Sequence, residues 1–337
     1  MKAYEYSALG LENLTLVERA EPRPGPREVQ VRFHAASLNY RDLLFGLGSY
    51  NPNPRLPAIP GSDGAGEVTA VGEGVTRWKV GDRVCPSFMQ AWVDGTLTPA
   101  LQRSALGAGD RDGVLREFGV FSEEGLSAIP EHLSYEEAAT LPCAALTAWN
   151  ALVEVGGIKA GDTILTLGTG GVSLFALQLA KLHGARVIAT SSSDAKLERA
   201  RQLGADATIN YAATPDWDKE VLRLTGKRGV DHVVEVGGAG TLPRSINAAR
   251  FGGLVTVIGV LAQGGGLDPM RILMRGLRLQ GVFVGSRRMF EDMARAVALA
   301  GLRPVVDQVF AFGEVPEALA RLRSGSHFGK IVIRVDA

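Results

Sequence analysis

The clearest pattern of apolar and polar positions in this chain lies between residues 161 and 190. Thr163 to Leu167 form a short run of β-branched and leucine residues, which is typical of a buried parallel strand. Apolar residues then recur at helical spacing up to Gly184, namely Val172, Phe175, Ala176, Leu179 and Ala180. Arg186 to Ala189 predict another strand. The stretch therefore predicts a strand, a glycine turn, an amphipathic helix and a second strand.

The alternation of strand and helix patterns continues to residue 284. Short apolar runs predict strands at Val187–Thr190, Ala207–Ile209, Asp231–Val236, Leu254–Val260 and Leu277–Val284. Helical patterns lie between them at Asp194–Leu203, Trp217–Leu224 and Thr241–Arg250. A long helical pattern at Tyr135–Val153 precedes them, with Ser134 as N-cap and Glu137 at the capping-box position. We therefore predict the α/β class, with a doubly wound parallel sheet in a domain of residues 126–285.

Residues 1–125 show short β-rich pieces instead, at Val29–His34, Gly66–Val71 and Arg83–Cys85, punctuated by Pro and Gly. A short helix opens within residues 37–44, and residues 87–113 carry few structural signals. This pattern predicts an irregular β-rich domain with function on its loops. After a helical pattern near Phe290–Ala300, the tail Val305–Val335 has the same β-rich character. We expect residues 286–337 to complete the first domain.

Four residues, Gly168, Thr169, Gly170 and Gly171, form the turn after the first strand of the sheet, and Val172 follows them. Glycine turns tightly and lets a ligand approach the backbone, while the free N–H groups that open a helix attract an anion. Ser173 replaces the last glycine of the usual G-x-G-x-x-G pattern, which is a mild departure. A plain structural turn is the alternative. The complete strand–turn–helix–strand unit favours binding of a dinucleotide pyrophosphate.

Composition excludes several other classes of protein. The 337 residues suffice for two domains, and Lys plus Arg equal Asp plus Glu at 36 each, so no net charge points to nucleic acid or a membrane surface. The two cysteines, Cys85 and Cys143, cannot form a disulfide framework. No apolar stretch approaches the roughly 18 residues of a membrane span, and the N-terminus lacks an apolar signal region. We expect a cytoplasmic protein that acts on a small molecule.

Motifs along nearly the whole chain resemble one known family. They are SLNYRD (37–42), PGSDGAGEV (60–68), VGDRV (80–84), ATLPCAALTAWNAL (139–152), GTGGV (168–172), RQLGAD (201–206) and FGKIVI (328–333). Together they resemble the zinc-free branch of the medium-chain dehydrogenases/reductases, which includes quinone oxidoreductase and zeta-crystallin. The resemblance implies a Rossmann domain and a GroES-like catalytic domain. It also implies that Asn39, Tyr40 and Ser62 face the nicotinamide and the substrate, with Thr147 beside them.

The zinc chemistry of the wider family can be tested on these residues. Its catalytic ligand positions fall on Asn39, Ser62 and Cys143, with Asp63 as a possible carboxylate. Asn and Ser are not normal zinc ligands, and two cysteines cannot make a structural site of four cysteines. We therefore predict no zinc and expect Cys143 to pack as a small buried hydrophobe.

The end of the second strand of the Rossmann unit predicts the type of dinucleotide. NAD-preferring sites carry an acidic residue there, about twenty residues after the glycine turn. Here Ser191 and Ser192 occupy that place, with Lys196 one turn into the next helix, and in the family the position of Tyr211 can flank a 2′-phosphate. Hydroxyls and an ammonium suit that phosphate. We predict NADP, with NAD less favoured; the alternative is that Ser193 or Asp194 caps the helix and Lys196 is solvated.

Further contacts with the cofactor are assigned to residues of the later strands and the tail, namely Gly259, Val260, Phe283, Val284 and Lys330.

Without zinc, the enzyme has no Lewis acid to polarise a carbonyl, so hydride transfer favours an acceptor that is already activated. Among the predicted site residues, Tyr40 has the hydroxyl best suited to donate a proton, although packing as a core aromatic is an equal alternative. We predict an NADPH-dependent reductase of quinones or α,β-unsaturated carbonyl compounds. The alternatives are a zinc-free alcohol dehydrogenase and a dinucleotide-binding protein without turnover, as in the crystallins of this family.

The predicted last strand of the sheet, Leu277–Val284, is an apolar edge whose one charge is Arg278. Such an edge invites pairing with another chain unless it is covered. Family members commonly join two such edges across a two-fold axis, so the resemblance implies a homodimer through this strand. The alternative is that residues 87–113 or the helix at Phe290 cover the edge of a monomer.

Overall fold

The computed structural model describes residues 1–51, 53–259, 261 and 266–335. Its strands are β1 (Lys2–Tyr6), β2 (Leu14–Glu18), β3 (Glu28–Leu38), β4 (Asp63–Val71), β5 (Arg83–Pro86), β6 (Phe118–Ser122), β7 (Leu126–Ala128), β8 (Thr163–Thr166), β9 (Arg186–Ser191), β10 (Ala207–Asn210), β11 (Val230–Glu235), β12 (Ala249–Val257), β13 (Arg278–Gly281), β14 (Val306–Ala311) and β15 (Lys330–Arg334). Its α-helices are α1 (Tyr40–Gly46), α2 (Pro99–Gln102), α3 (Tyr135–Ala138), α4 (Leu146–Trp149), α5 (Gly171–Leu182), α6 (Asp194–Gln202), α7 (Trp217–Leu224), α8 (Leu242–Ala248), α9 (Pro269–Arg275), α10 (Arg287–Ala300) and α11 (Val315–Ser324).

The chain divides into two compact units. The first comprises Met1–Leu146 and Gly285–Ala337, and the second comprises Thr147–Val284. This division places residues 126–146 in the first unit, whereas the sequence analysis assigned them to the dinucleotide-binding domain. The physical reason is the pairing of β7 with β5, which ties residues 126–128 to the sheet of the first unit.

The second unit is built on a parallel sheet whose described strands lie in the order β10-β9-β8-β11-β12-β13. Every residue of β8 and of β11 is buried, as expected of central parallel strands. The predicted doubly wound parallel sheet is confirmed. The chain runs from β8 to β9 and β10 on one side and then returns to β11 on the other. The carboxyl ends of β8 and β11 therefore flank the point where the strand order reverses, the usual ligand crevice of such sheets.

The first unit is β-rich, as predicted. Its larger sheet has the order β14-β15-β3-β4-β5-β7, with β6 paired to β3, and β1 and β2 form an antiparallel pair beside it. The C-terminal strand β15 pairs with β3 through Ile331 and Leu38. The tail thus completes this sheet, although α11, which the sequence analysis did not predict, separates its two strands.

The helical pattern at Tyr135–Val153 was wrongly predicted to form one continuous α-helix. The capping box at Ser134 and Glu137 is present, but α3 ends at Ala138 and π-helical segments occupy Leu141–Ala145 and Asn150–Glu154. Pro142 lies at the start of the first π segment and has no N–H to donate to an α-helical hydrogen bond. Apolar spacing does not distinguish such a segment from an α-helix.

The last strand of the sheet is also shorter than predicted, because β13 covers Arg278–Gly281 rather than residues 277–284. Val284 adopts a left-handed backbone conformation with φ of 56°, which is incompatible with a strand. None of the helices in the described ranges combines the length and hydrophobicity that crossing a bilayer requires.

Candidate functional site

The predicted pyrophosphate turn connects β8 to α5. Gly168 has a φ of 71°, which favours glycine, and its N–H donates to Thr190 Oγ1 at 3.2 Å. Gly170 is the N-cap of α5, and no side chain of the described residues caps that helix. Cβ atoms built on Gly168 and Gly170 meet no atom within 4 Å, so the space beside the turn is open. Free helix N–H groups facing open space fit a pyrophosphate group.

Ser173, at the position of the missing third glycine, is buried, and its hydroxyl donates to Leu167 O at 2.6 Å. This hydrogen bond links the first turn of α5 to the end of β8. A serine at this position therefore closes the turn with a polar contact.

A carboxylate that the sequence analysis missed organises the loop after β11. Glu235 is fully buried at the end of this strand. Its Oε1 accepts hydrogen bonds from Gly237 N at 2.7 Å, Gly238 N at 2.9 Å and Thr241 Oγ1 at 2.6 Å, and its Oε2 accepts from Ser245 Oγ. The loop is thus fixed at the carboxyl edge of the sheet, one strand away from the glycine turn. An acidic residue followed by two glycines after a buried strand was the available signal.

The residues predicted to bind the 2′-phosphate lie at the ends of β9 and β10. Ser191 is buried, and its Oγ accepts from Ser193 N at 3.2 Å, whereas Ser192 is exposed. Tyr211 N donates to Ser191 O at 3.0 Å, and the Tyr211 side chain is exposed. A backbone hydrogen bond therefore joins the ends of the neighbouring strands β9 and β10 at this place.

Helix capping occurs beside the same residues. Ser193 is the N-cap of α6, and its Oγ accepts from Lys196 N at 3.4 Å. The carboxylate of Asp194 accepts a hydrogen bond from Asn210 Nδ2 at 2.8 Å. The capping role that the sequence analysis held open for Ser193 is present, and the acidic side chain of α6 is engaged by the end of β10.

The other residues assigned to the cofactor lie after β12 and β13. A Cβ atom on Gly259 would lie 1.6 Å from Val236 O, so glycine is required there by backbone packing. Phe283 and Val284 follow β13, and Val284 O accepts from Asn150 Nδ2 at 2.7 Å. Val260 lies outside the described residues.

Two of the predicted catalytic residues meet in a buried polar cluster of the first unit. Asn39 is the N-cap of α1 and Ser62 directly precedes β4. Asn39 Nδ2 donates to Ser62 Oγ at 3.4 Å, and Ser62 Oγ donates to Asp63 Oδ1 at 2.8 Å. Asp63 Oδ2 also accepts from Cys143 N at 3.1 Å.

Lys330, which we assigned to the cofactor, belongs to this cluster as well. Its side chain reaches from β15 to the end of β3, where Nζ donates to Leu38 O at 2.7 Å and to Asn39 Oδ1. The residue is 4 % exposed. The antiparallel pairing of β15 with β3 brings it there, across 291 positions of sequence.

An ion pair between Arg41 and Asp42 lies beside this cluster. Arg41 Nη1 donates to Asp42 Oδ1 at 3.2 Å and to Leu106 O at 2.8 Å, and the guanidinium stacks over Tyr50 at 4.7 Å from the ring centre. Asp42 Oδ2 accepts from Asn39 N at 2.8 Å and so fixes the start of α1. Asp42 therefore braces the local backbone.

Burial and charge compete at the carboxylates. Burial raises the pKa of Asp63, and the positive charge of Lys330 and hydrogen bonds from Asn39 and Ser62 offset this in part. Burial likewise raises the pKa of Asp42, which Arg41 partly offsets. The Cys143 thiol has its pKa raised strongly by burial, so it remains protonated near neutral pH.

The remaining two catalytic candidates are placed differently. Tyr40 is the first residue of α1, and its side chain is 39 % exposed, so it does not pack as a core aromatic. Thr147 is buried in the second unit. The structure therefore groups Asn39 and Ser62 with Asp63 and Lys330 in the first unit.

The donor set at this cluster does not fit zinc. Among the described residues, no group of three or more His, Cys, Asp or Glu side chains is arranged to hold a metal ion. Neutral Asn and Ser oxygens are poor zinc donors, and one cysteine with one carboxylate, Cys143 and Asp63, does not make the three-ligand set of a catalytic zinc. The ammonium of Lys330, bound to Asn39, would in addition repel a divalent cation.

Comparisons with known proteins place the chain in a family. The zinc-binding dehydrogenase family matches residues 171–299, and the alcohol dehydrogenase GroES-like domain matches residues 25–131. A zinc-type alcohol dehydrogenase-like protein of Schizosaccharomyces pombe is 45 % identical, over 97 % of this chain and 96 % of that protein. A quinone oxidoreductase of Pseudomonas aeruginosa is 32 % identical, over 98 % and 99 %. A solved structure described as an NAD-dependent alcohol dehydrogenase superposes with a TM-score of 0.91 at 38 % identity and covers 100 % of both chains. The chain belongs to the medium-chain dehydrogenase/reductase superfamily and is an oxidoreductase.

Proposed function

We propose that this oxidoreductase uses NADPH to reduce activated carbonyl compounds, quinones or α,β-unsaturated ketones and aldehydes, without zinc. The observation that carries the proposal is the cluster of Asn39, Ser62, Asp63 and Lys330. It brings amide, hydroxyl and ammonium groups together in one place, and no zinc donor set is found among the residues that the structure describes. Hydrogen bonds from such groups stabilise a developing oxyanion or enolate, which suits an acceptor that is already electron-poor.

The dinucleotide would bind along the carboxyl edge of the parallel sheet and, when bound, would supply the hydride. The N–H groups at the start of α5 would hold the pyrophosphate beside Gly168, and Glu235 fixes the neighbouring loop. At the ribose end, the hydroxyls of Ser191 and Ser192 and the ammonium of Lys196 suit a 2′-phosphate. Asn210 donates a hydrogen bond to the Asp194 carboxylate and so reduces the repulsion between that carboxylate and a 2′-phosphate, which favours NADP over NAD.

A second candidate function is alcohol oxidation, which the names of the relatives favour. A panel of quinones, enones and alcohols, each assayed with both dinucleotides on metal-free protein, tests the two functions together. Reduction of a quinone or enone with NADPH, at a kcat/KM above that for any alcohol, supports the proposal. Faster alcohol oxidation would refute it, and binding of NADPH without turnover of any acceptor would identify a binding protein.

We further propose a homodimer through β13. This strand is the edge of the sheet, with Arg278 exposed, and apolar side chains of the preceding helix α9 are exposed beside it. Among these, Met270, Leu273 and Met274 are 56 %, 71 % and 68 % exposed. Exposed apolar residues next to an unpaired strand edge favour association with a second copy.

Leu273→Glu tests the dimer by light scattering at micromolar concentration. We expect a dimer for the parent protein and a monomer for the variant, while Leu299→Glu, at a leucine that is 92 % exposed on α10, should remain a dimer. A Val282→Pro variant would not test this interface cleanly. Val282 N donates to Val257 O within the sheet, so proline would disrupt the sheet itself. A monomeric parent, or a dimeric Leu273→Glu variant, would exclude this interface.

A further inference from the structure

The turn between β8 and α5 begins with a peptide group whose two polar atoms are both bound by side-chain hydroxyls. This peptide group joins Leu167 to Gly168. Its carbonyl oxygen, Leu167 O, accepts from Ser173 Oγ at 2.6 Å, and its N–H, on Gly168, donates to Thr190 Oγ1 at 3.2 Å. One hydroxyl comes from the first turn of α5 and the other from β9, so the peptide is held from two sides.

The position of this peptide explains why hydroxyls bind it. The last paired residue of β8 is Thr166, which lies opposite Ala189 of β9. The Leu167–Gly168 peptide follows that pair, and the two hydroxyls take the place of the hydrogen bonds of the sheet ladder there. Ser173 and Thr190 are 2 % and 1 % exposed, so water has little access to them. A buried peptide group without partners is costly, and the two hydroxyls satisfy this one.

The orientation of this peptide determines the shape of the turn. Gly168 has a φ of 71°, and Cβ atoms built on Gly168 and Gly170 meet no atom of the described residues within 4 Å. Gly170 is the N-cap of α5, so the unpaired N–H groups of the first helical turn follow directly. Rotation of the Leu167–Gly168 peptide would break both hydroxyl bonds and move the residues between that peptide and the helix. The hydroxyls therefore hold the turn in the conformation that has this open side.

Building on the dinucleotide site of the proposed function, we propose that Ser173 and Thr190 are positioning residues that lock the Leu167–Gly168 peptide and so hold the turn ready for the pyrophosphate of the dinucleotide. Neither hydroxyl needs to touch the ligand. Ser173 then has a role of its own at the third glycine position, because a glycine has no hydroxyl to donate to Leu167 O. NADP and NAD share the pyrophosphate, so both residues act on the affinity for either dinucleotide.

Three substitutions each remove one hydroxyl, namely Thr190→Val, Ser173→Ala and Ser173→Gly. Without that hydroxyl the free turn samples other orientations of the peptide, and only the fraction in the binding conformation accepts the ligand. We expect each variant to raise the dissociation constant of ADP, which carries the two phosphates of the shared pyrophosphate, by about 3- to 10-fold, the equivalent of one neutral hydrogen bond. Affinities for NADPH and NADH should fall by equal factors. Thr190→Ser, which retains the hydroxyl, should bind ADP as the parent protein does.

Ser173→Gly gives the sharpest contrast, because it completes the G-x-G-x-x-G pattern. The third glycine of that pattern allows close packing of helix and strand, so the pattern alone predicts equal or tighter binding by this variant. A locked peptide predicts weaker binding instead. Glycine also lowers the stability of a helix, so Ser173→Ala decides the outcome if thermal unfolding shows that Ser173→Gly is not folded. Parental or tighter ADP binding by the folded variant would overturn the proposal.

A merely structural role is separated by the matched control Thr256→Val. Thr256 is also 1 % exposed in a strand of the same sheet, and its hydroxyl donates to Val233 O at 3.1 Å. This variant should lose stability in thermal unfolding as Thr190→Val does, but it should keep the parental affinity for ADP. An equal loss of ADP affinity in both variants would refute the positioning role. A changed ratio of NADPH to NADH affinity in Thr190→Val would also refute it, because that result points to the ribose end of the site, where Ser191 follows Thr190.

The shared peptide also predicts that the two hydroxyls are coupled. Loss of either one frees the peptide to rotate, so the double variant Ser173→Ala/Thr190→Val should raise the ADP dissociation constant by less than the product of the two single effects. An effect equal to that product would show that the hydroxyls act separately and would overturn the shared role.

ADP titration requires no turnover, which separates this proposal from the proposed function. Weaker ADP binding in the variants, beside failure of every acceptor assay, would refute only the proposed function. Parental ADP affinity in all the variants, beside NADPH-dependent reduction by the parent protein, would refute only the role of Ser173 and Thr190.

Discussion

Replacing Glu235 with Gln should loosen the loop that follows β11 and weaken dinucleotide binding. The carboxylate is fully buried and accepts four hydrogen bonds, two from backbone N–H groups and two from hydroxyls. These donors offset the cost of removing a charged group from water. Since the loop lies at the carboxyl edge of the sheet beside the glycine turn, its order affects both stability and binding.

The size of the effect follows from the four bonds. A hydrogen bond to a charged group contributes about 1.5–3 kcal/mol, and a neutral one contributes about 1 kcal/mol. Gln keeps an oxygen for three of the donors but presents an NH₂ group to Ser245, so that bond must reverse or break. Because a neutral amide is easier to bury than a carboxylate, part of this loss is recovered. We expect a net destabilisation of about 1–3 kcal/mol for Gln, and roughly 3–5 kcal/mol for Ala, which also leaves buried donors unsatisfied.

Thermal unfolding, amide hydrogen exchange at Gly237 and Gly238, and NADPH titration measure these effects. Exchange at both glycines should accelerate in Glu235→Gln, and the NADPH dissociation constant should increase several-fold. Glu220→Gln serves as the matched control, because Glu220 pairs on the surface of α7 with Arg223, which is 70 % exposed. That substitution should change stability by about 0.5 kcal/mol or less. Indistinguishable unfolding and exchange in the two variants would refute the role assigned to Glu235.

Three further predictions concern the cofactor, the metal and acid stability. Ser191→Asp should shift the ratio of kcat/KM values from NADPH towards NADH, because a carboxylate accepts from ribose hydroxyls and repels a 2′-phosphate; a parent protein with equal affinity for both dinucleotides would contradict this. Elemental analysis of purified protein should find no stoichiometric zinc, and about one zinc per chain with activity lost to a chelator would exclude our interpretation of Asn39 and Ser62. Burial alone would raise the pKa of Asp231, but hydrogen bonds from Arg228, Arg250 and Thr163 N hold it well below its usual range. Its stabilisation is therefore complete above the unfolded pKa of about 3.9 and is lost as the pH falls towards the folded pKa. Acid titrations of thermal unfolding should show about 2 kcal/mol less loss of stability in Asp231→Asn.

The parallel sheet could be predicted from sequence because its signals are local. The central strands β8 and β11 are short, mainly apolar runs that are fully buried. The turn needs a φ of 71° at position 168, and the glycine there indicates such a conformation. The predicted ends of a strand were less accurate where its residues are exposed to solvent. β12 begins at Ala249, five residues before its apolar run, because the exposed residues Phe251 and Gly252 extend the strand without an apolar pattern.

The interior of the candidate site could not be predicted in the same way, because it depends on pairing between distant strands. Lys330 follows a glycine near the C-terminus, and nothing close to it in sequence indicates a partner. Only the register of β15 against β3 brings its ammonium to Asn39. Glu235 was missed for another reason: its partners are mainly backbone N–H and hydroxyl groups of the following loop, which carry no charge pattern.

The charge balance of the buried cluster explains why Asn39 and Ser62 stand at the family's metal positions. Asp42 and Asp63 are both buried, and burial of two carboxylates in one cluster requires compensating positive charge. In this chain, Arg41 and Lys330 provide that charge from within the first unit. A zinc ion bound beside them would add two further charges to a cluster that is already balanced, and Asn39 and Ser62 offer no thiolate or imidazole to neutralise them. Amide and hydroxyl groups suit the same cluster, because they add no charge. Their hydrogen bonds connect the ammonium of Lys330 to the carboxylate of Asp63. The residues at positions 39, 62 and 330 are thus consistent with one another, and a substitution at any of them should weaken the hydrogen bonds that connect the other two to the cluster.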